Sequence, residues 1–142
     1  MKYIPIFILF FFTVGACKNQ APATEQEQTA SPLEQAYRQT LAVHDEIMPG
    51  LAELERLQRQ LKTRLDSLSD EAQKAKYRAA IDSLEAAYDG MMDWMANFRP
   101  IESLQKEGMS EEQMMEFYKK QEKEIREVGR RMEAAKEMGE EL

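Results

Sequence analysis

Apolar positions recur at steps of four and three along most of the chain, which is the period of a helix with one face packed against other helices. Tyr77, Ile81, Leu84, Tyr88, Met91, Met95 and Phe98 follow the rule without a miss, and Ala80, Ala87 and Trp94 widen that stripe on one side. Met114, Tyr118, Gln121, Ile125, Val128, Met132 and Ala135 repeat it with one polar member. Before both, Tyr37, Leu41, His44, Met48 and Leu51 lead into Leu54, Leu57, Leu61, Leu65 and Leu68. Such seams place helices side by side at shallow crossing angles.

The breaks between the stripes are as legible as the stripes. "SLSDE" at 67–71 offers Ser69 or Asp70 as an N-cap. Pro100 stops the second helix, and Ser110 with Gln113 forms a capping box for the third. The pattern predicts helices near 33–67, 70–98 and 110–140. Short connections make sequential helices antiparallel neighbours, so the expected fold is all-α, an antiparallel three-helix bundle made of a long helical hairpin plus a third helix. A long hairpin that dimerises is the alternative, because heptads also suit coiled coils. Pro49 removes one backbone donor and crowds the preceding turn, and Gly50 adds about 1 kcal/mol of helix cost. The stripe survives across both, which predicts a kinked helix rather than two.

Composition agrees with this reading. Leu, Ala, Glu, Lys, Gln, Arg and Met dominate after residue 32, and only Pro49 and Pro100 occur there. About 110 residues suffice for one small core and one domain, placed at 33–142.

The N-terminus has a different character. Lys2 precedes an apolar run from Tyr3 to Val14, shorter than the roughly 20 residues that a membrane-spanning helix needs. The run has the proportions of a signal-peptide core. It ends in Val14-Gly15-Ala16-Cys17, which resembles the bacterial lipobox of an aliphatic residue, two small residues and a cysteine. The resemblance implies cleavage after residue 16 and a covalent lipid on Cys17. Cys17 is the only cysteine, so no internal disulfide is possible, and lipidation accounts for an otherwise free thiol. Two or more acyl chains anchor stably where one is marginal. Lys18 follows the cysteine in place of Asp, which by analogy with lipoprotein sorting points to the outer membrane, periplasmic side, of a Gram-negative bacterium. Residues 17–32 lack aromatic residues, Leu, Ile and Val, and are expected to form a flexible tether.

Loss of residues 1–16 removes Lys2 alone among the charges and moves the net charge from −7 to −8. An acidic chain is repelled by nucleic acid and by anionic headgroups. The lipid must therefore carry the membrane attachment, and nucleic acid is excluded as a partner.

Candidate chemistry is sparse. There is no nucleophile–base spacing, no glycine-rich phosphate loop and no H-E-x-x-H, so the chain is read as a non-enzyme. His44 is the only histidine, and ten methionines is a high count. With the hairpin turn near Ser69, His44 falls beside Trp94 and Met48 beside Gly90. His44, Met48, Met91 and Met95 then share one height, with Met114 in reserve. Thioethers and an imidazole suit Cu(I). The competing reading is packing, since Met fills irregular gaps and a histidine on an apolar stripe is ordinarily a packed imidazole. Haem has no attachment motif here, and one His with a lipidated Cys is too little for structural zinc. Scavenging of oxidants by the methionines is a third reading.

With "HDEIMPGLAELERLQRQLK" and "MMDWMANFRP" both in view, the chain resembles small lipoproteins of Bacteroidetes-type bacteria, sometimes likened to viral A-type inclusion protein repeats. Over roughly residues 33–140 the resemblance implies a helical lipoprotein. It carries over no catalytic residues. With an anchor and no catalytic constellation, the expectation from the residues is a module that binds a protein partner of unknown identity, a second copy included, or supports the envelope.

Overall fold

The computed structural model describes residues 30–142, and all regular structure among them is helical. The helices are α1 (Pro32–Ile47), α2 (Gly50–Leu65), α3 (Glu71–Asn97), α4 (Ile101–Lys106) and α5 (Glu111–Glu140). The signal segment, Cys17 and the tether as far as residue 29 lie outside the described residues.

The helical part begins earlier than the pattern predicts. The Ser31 hydroxyl accepts the Glu34 backbone N–H at 3.2 Å, and the Glu34 carboxylate accepts the Ser31 N–H at 3.0 Å. With Pro32 in the first turn this is a complete start signal. Pro32, expected in the tether for want of apolar side chains, belongs to α1, and Ser31 caps it. Downstream, Asp70 rather than Ser69 caps α3, its Oδ1 accepting the Gln73 N–H at 2.8 Å. Replacing Asp70 by Ala is expected to cost about 1 kcal/mol, read as a lowered urea midpoint. An unchanged midpoint would show that α3 needs no cap.

At Pro49 the hydrogen-bond ladder is interrupted, yet the backbone keeps its right-handed helical turn. Met48 (φ −49°, ψ −40°) and Pro49 (φ −59°, ψ −25°) both stay in the helical region. The Met48 N–H still reaches the His44 carbonyl at 2.8 Å, and the Leu51 N–H takes a tighter bond to the Met48 carbonyl at 3.1 Å. The expected kink is thus a two-residue interruption between α1 and α2.

α5 lies against α1, α2 and α3, and α2 lies against α3. Contacts along the helices fix the directions. Thr40 Oγ1 bonds the Tyr118 carbonyl near one end, while Leu57 and Leu61 adjoin Gly139 near the other, so α5 runs parallel to α1 and α2. Trp94 bonds the Gln121 carbonyl and Tyr77 the Leu142 carbonyl, so α3 runs antiparallel to α5. The main core joins Leu51, Leu54, Leu57 and Leu61 to Leu84, Met91, Ile125 and Met132. Leu33, Leu104, Met114 and Tyr118 form a second cluster at the far end.

The stripes of α3 and α5 face the core as the pattern predicts, with Tyr77, Tyr88, Met95, Phe98 and Val128 half-buried at its edge, but that of α1 is turned by one position. Thr40 and Val43 are buried, Leu41 is half-buried, and Met48, expected on the stripe, is exposed. Ile47 takes the packed place beside Gly129. A polar Thr40 can sit in the seam because its hydroxyl is satisfied by the Ala36 and Tyr118 carbonyls, at 2.9 and 3.3 Å.

The connection between α3 and α5 holds a further short helix, α4. Its side chain Leu104 is fully buried. The helix ends in a Schellman motif, Met109 N–H to the Leu104 carbonyl at 3.1 Å and Gly108 N–H to the Gln105 carbonyl at 3.0 Å. Gly108 supplies the φ of +80° that this ending requires. Arg99 closes the loop on Glu107 at 2.6 Å and lies over the Phe117 ring at 5.4 Å.

Candidate functional site

The helical hairpin places His44 on Trp94, as the turn position predicts. The two rings stack with centroids 5.5 Å apart and planes at 20°. From there aromatic contacts run toward the α4 end. Trp94 stacks on Phe98 at 4.9 Å, and Phe98 stacks on Tyr37 at 5.8 Å. Tyr37 meets Tyr118 edge-on at 5.3 Å. Offset and edge-on pairs of this kind contribute about 0.5–1.5 kcal/mol each beyond their buried area. Their polar tips are satisfied: Trp94 Nε1 donates to the Gln121 carbonyl at 3.2 Å, and the Tyr118 hydroxyl donates to the Arg99 carbonyl at 2.8 Å.

Two atoms in this region are not satisfied. His44 Nδ1 lies 3.0 Å from Asp45 Oδ1, an acceptor, so the tautomer with its hydrogen on Nδ1 makes this bond and leaves Nε2 a lone pair. That Nε2 is buried and has no hydrogen-bond partner. Gln121, 5% exposed, gives its amide N–H to Glu124 at 2.8 Å and leaves its Oε1 buried without a partner. A buried acceptor without a donor costs about 1–3 kcal/mol.

The four residues grouped by the sequence separate by burial. Met91 is fully buried in the main core, Met95 packs half-buried against that core, and His44 is mostly covered. Met48 is 39% exposed and is not part of the buried set. One residue change of phase explains it: with Ile47 filling the space against α5, the neighbouring side chain must face outward. Met114, the reserve member, belongs to the second cluster instead.

Beside the Pro49 interruption runs a groove of about 510 Å³ between the α1–α2 junction and α5. Its lining includes Ile47, Gly50, Leu54, Gly129, Arg130 and Met132. This groove is not legible in the sequence, because its lining comes from segments far apart in the chain.

Surface charge is paired mostly within helices. Glu122–Arg126 (2.8 Å), Glu127–Arg131 (3.3 Å) and Lys120–Glu124 (3.6 Å) pair one turn apart along α5. Arg130, hydrogen-bonded to Glu127, holds that carboxyl below its ordinary range, and Arg56 does the same to Glu53. Among the described residues no three of His, Cys, Asp and Glu gather to hold a metal ion. No helix among them is long and apolar enough to cross a membrane. In comparison with known proteins, no family model, no curated protein and no solved structure matches the chain.

Proposed function

We propose that the chain is a lipid-anchored helical module of the outer membrane that faces the periplasm and works by binding a protein partner, without a catalytic centre. The observation that carries this reading is the Val14-Gly15-Ala16-Cys17 sequence. It directly follows an apolar run and contains the only cysteine. The anchor does what the folded part does not, since an acidic surface is repelled by anionic lipid. Behind the anchor, a short tether carries an antiparallel bundle. Its exposed faces, including the groove beside Pro49, are free for a partner.

Cys17→Ser is expected to abolish incorporation of labelled palmitate and to move the protein from the membrane fraction to the soluble periplasm. An unmodified N-terminal mass in the wild type, or a Cys17→Ser variant that stays in the membrane fraction, would overturn the anchor. Photocrosslinkers placed at the exposed Met48 and Met92 test the partner. One protein recovered reproducibly supports the reading, and a second copy of the chain would identify a homodimer. Recovery of nothing above background from either position counts against it.

A further inference from the structure

Trp94 has two unpartnered electron-pair donors for neighbours. His44 stacks on its face with Nε2 buried and unbonded, and Gln121, whose carbonyl takes the indole N–H, has a buried, unbonded Oε1. No N–H, O–H or cationic group among the described residues donates to either atom. The histidine is also oriented. Its Nδ1–H is held by the Asp45 carboxylate at 3.0 Å. A carboxylate on one ring nitrogen fixes the tautomer and the ring orientation, which is how metal-binding histidines are ordinarily supported.

Two methionines neighbour Trp94 in sequence along α3. Met91, one turn before Trp94, is fully buried, and Met95 follows Trp94 directly and packs against the same core. The donor set is therefore an imidazole nitrogen and thioether sulfurs, with no cluster of three His, Cys, Asp or Glu among the described residues. Such a set is too soft for calcium or magnesium and too poor in anionic ligands for zinc. It matches a soft monovalent cation, Cu(I), for which thioethers and imidazole are the preferred ligands. A single positive charge beside the face of an indole is stabilised further by the ring quadrupole.

We infer that His44 Nε2, with the thioethers of Met91 and Met95, forms a Cu(I) site against Trp94. Asp45 acts as the positioning residue, and Met48 lies outside the site. The same lone pairs also accept hydrogen bonds from a buried water, and the experiment separates the two occupants.

The full chain in detergent is titrated against Cu(I) held by a chromogenic bidentate chelator, with Ag(I) as a redox-inert replicate. Withdrawal of one equivalent of metal is expected, with quenching of the emission of Trp94, the only tryptophan, in step with uptake. Met48→Leu and Met92→Leu should leave both readouts unchanged. His44→Phe, which keeps an aromatic ring on Trp94, and Met95→Leu should each weaken uptake by more than the roughly 10–100-fold that loss of an outer-shell partner costs. Circular dichroism reports whether the His44 variant is folded, and Met95→Leu decides the matter if it is not. The inference fails if no metal leaves the chelator, which leaves water as the occupant. It fails equally if uptake occurs without a change in Trp94 emission, or if Met95→Leu takes up metal as well as the wild type.

Discussion

Leu84→Ala is expected to lower the unfolding free energy by about 3 kcal/mol, inside the range of roughly 2–5 kcal/mol for leucine truncation in a packed core. The argument rests on where Leu84 sits. It is 1% exposed, at the place where α2, α3 and α5 converge. A β-carbon on Gly139 would stand 3.5 Å from a Leu84 methyl, 3.6 Å from Leu61 and 3.7 Å from Leu57. Three helices therefore depend on one side chain, and none of them can move inward to fill its absence without opening another contact. Leu84→Met, which nearly conserves volume, should cost less than about 1.5 kcal/mol. Met92→Ala, on an exposed position of the same helix, should fall within about 0.5 kcal/mol of the wild type. Urea denaturation of the three variants checks the ranking. A Leu84→Ala loss as small as that of Met92→Ala would mean that the three helices do not share one core.

The parts of the fold that are legible in sequence are those set by local periodicity. The seams of α3 and α5 need only apolar side chains at helical spacing, and Asp70 and Ser110 need only a hydrogen bond three residues away. What goes unread depends on the third helix. Thr40 looks unsuited to a seam until the Tyr118 carbonyl arrives from α5 to accept its hydroxyl. Ile47 and Met48 are equally apolar, and only the space opposite Gly129 selects Ile47. α4 is too short to show a period, and its single decisive side chain, Leu104, has its partners in α1 and α5. The start of α1 is hidden by a flanking segment poor in apolar residues, while a capping box depends on two residues alone, here Ser31 and Glu34.

The candidate site divides the same way. The stack of His44 on Trp94 follows from hairpin geometry, since two antiparallel helices joined by a short turn have one register. The orphaned Nε2 does not follow, because it requires knowing that Asp45 takes the other nitrogen and that no donor approaches from α5. Gln121 was visible as the one polar member of its stripe. Its half-satisfied amide emerges only from the positions of Glu124 and Trp94.

Tyr118 carries the second large effect, and it divides into parts that can be measured separately. The side chain is fully buried and touches Tyr37, Phe98 and Phe117, so Tyr118→Ala should cost about 3–5 kcal/mol. Tyr118→Phe keeps the ring and removes only the hydrogen bond to the Arg99 carbonyl, which should cost about 1–2 kcal/mol at neutral pH. The difference between these two variants isolates the packing of the ring. The hydroxyl has a further signature. Burial, and after it the neighbouring Tyr37 and Glu102, pushes its pKa from 10.0 to about 12. The neutral phenol is thus favoured in the folded chain, while the unfolded chain begins to lose this proton near pH 10. Stability from the hydroxyl is complete below that pH and is lost as pH rises toward 12. The advantage of wild type over Tyr118→Phe should therefore shrink across this window, because phenylalanine has no proton to lose. Urea midpoints of both proteins at pH 8, 10 and 11 give the comparison, in which the titration of the other tyrosines largely cancels. A constant difference across the series would mean that the hydroxyl is open to water, and the bond to Arg99 would then not be what joins α5 to the α3–α4 connection.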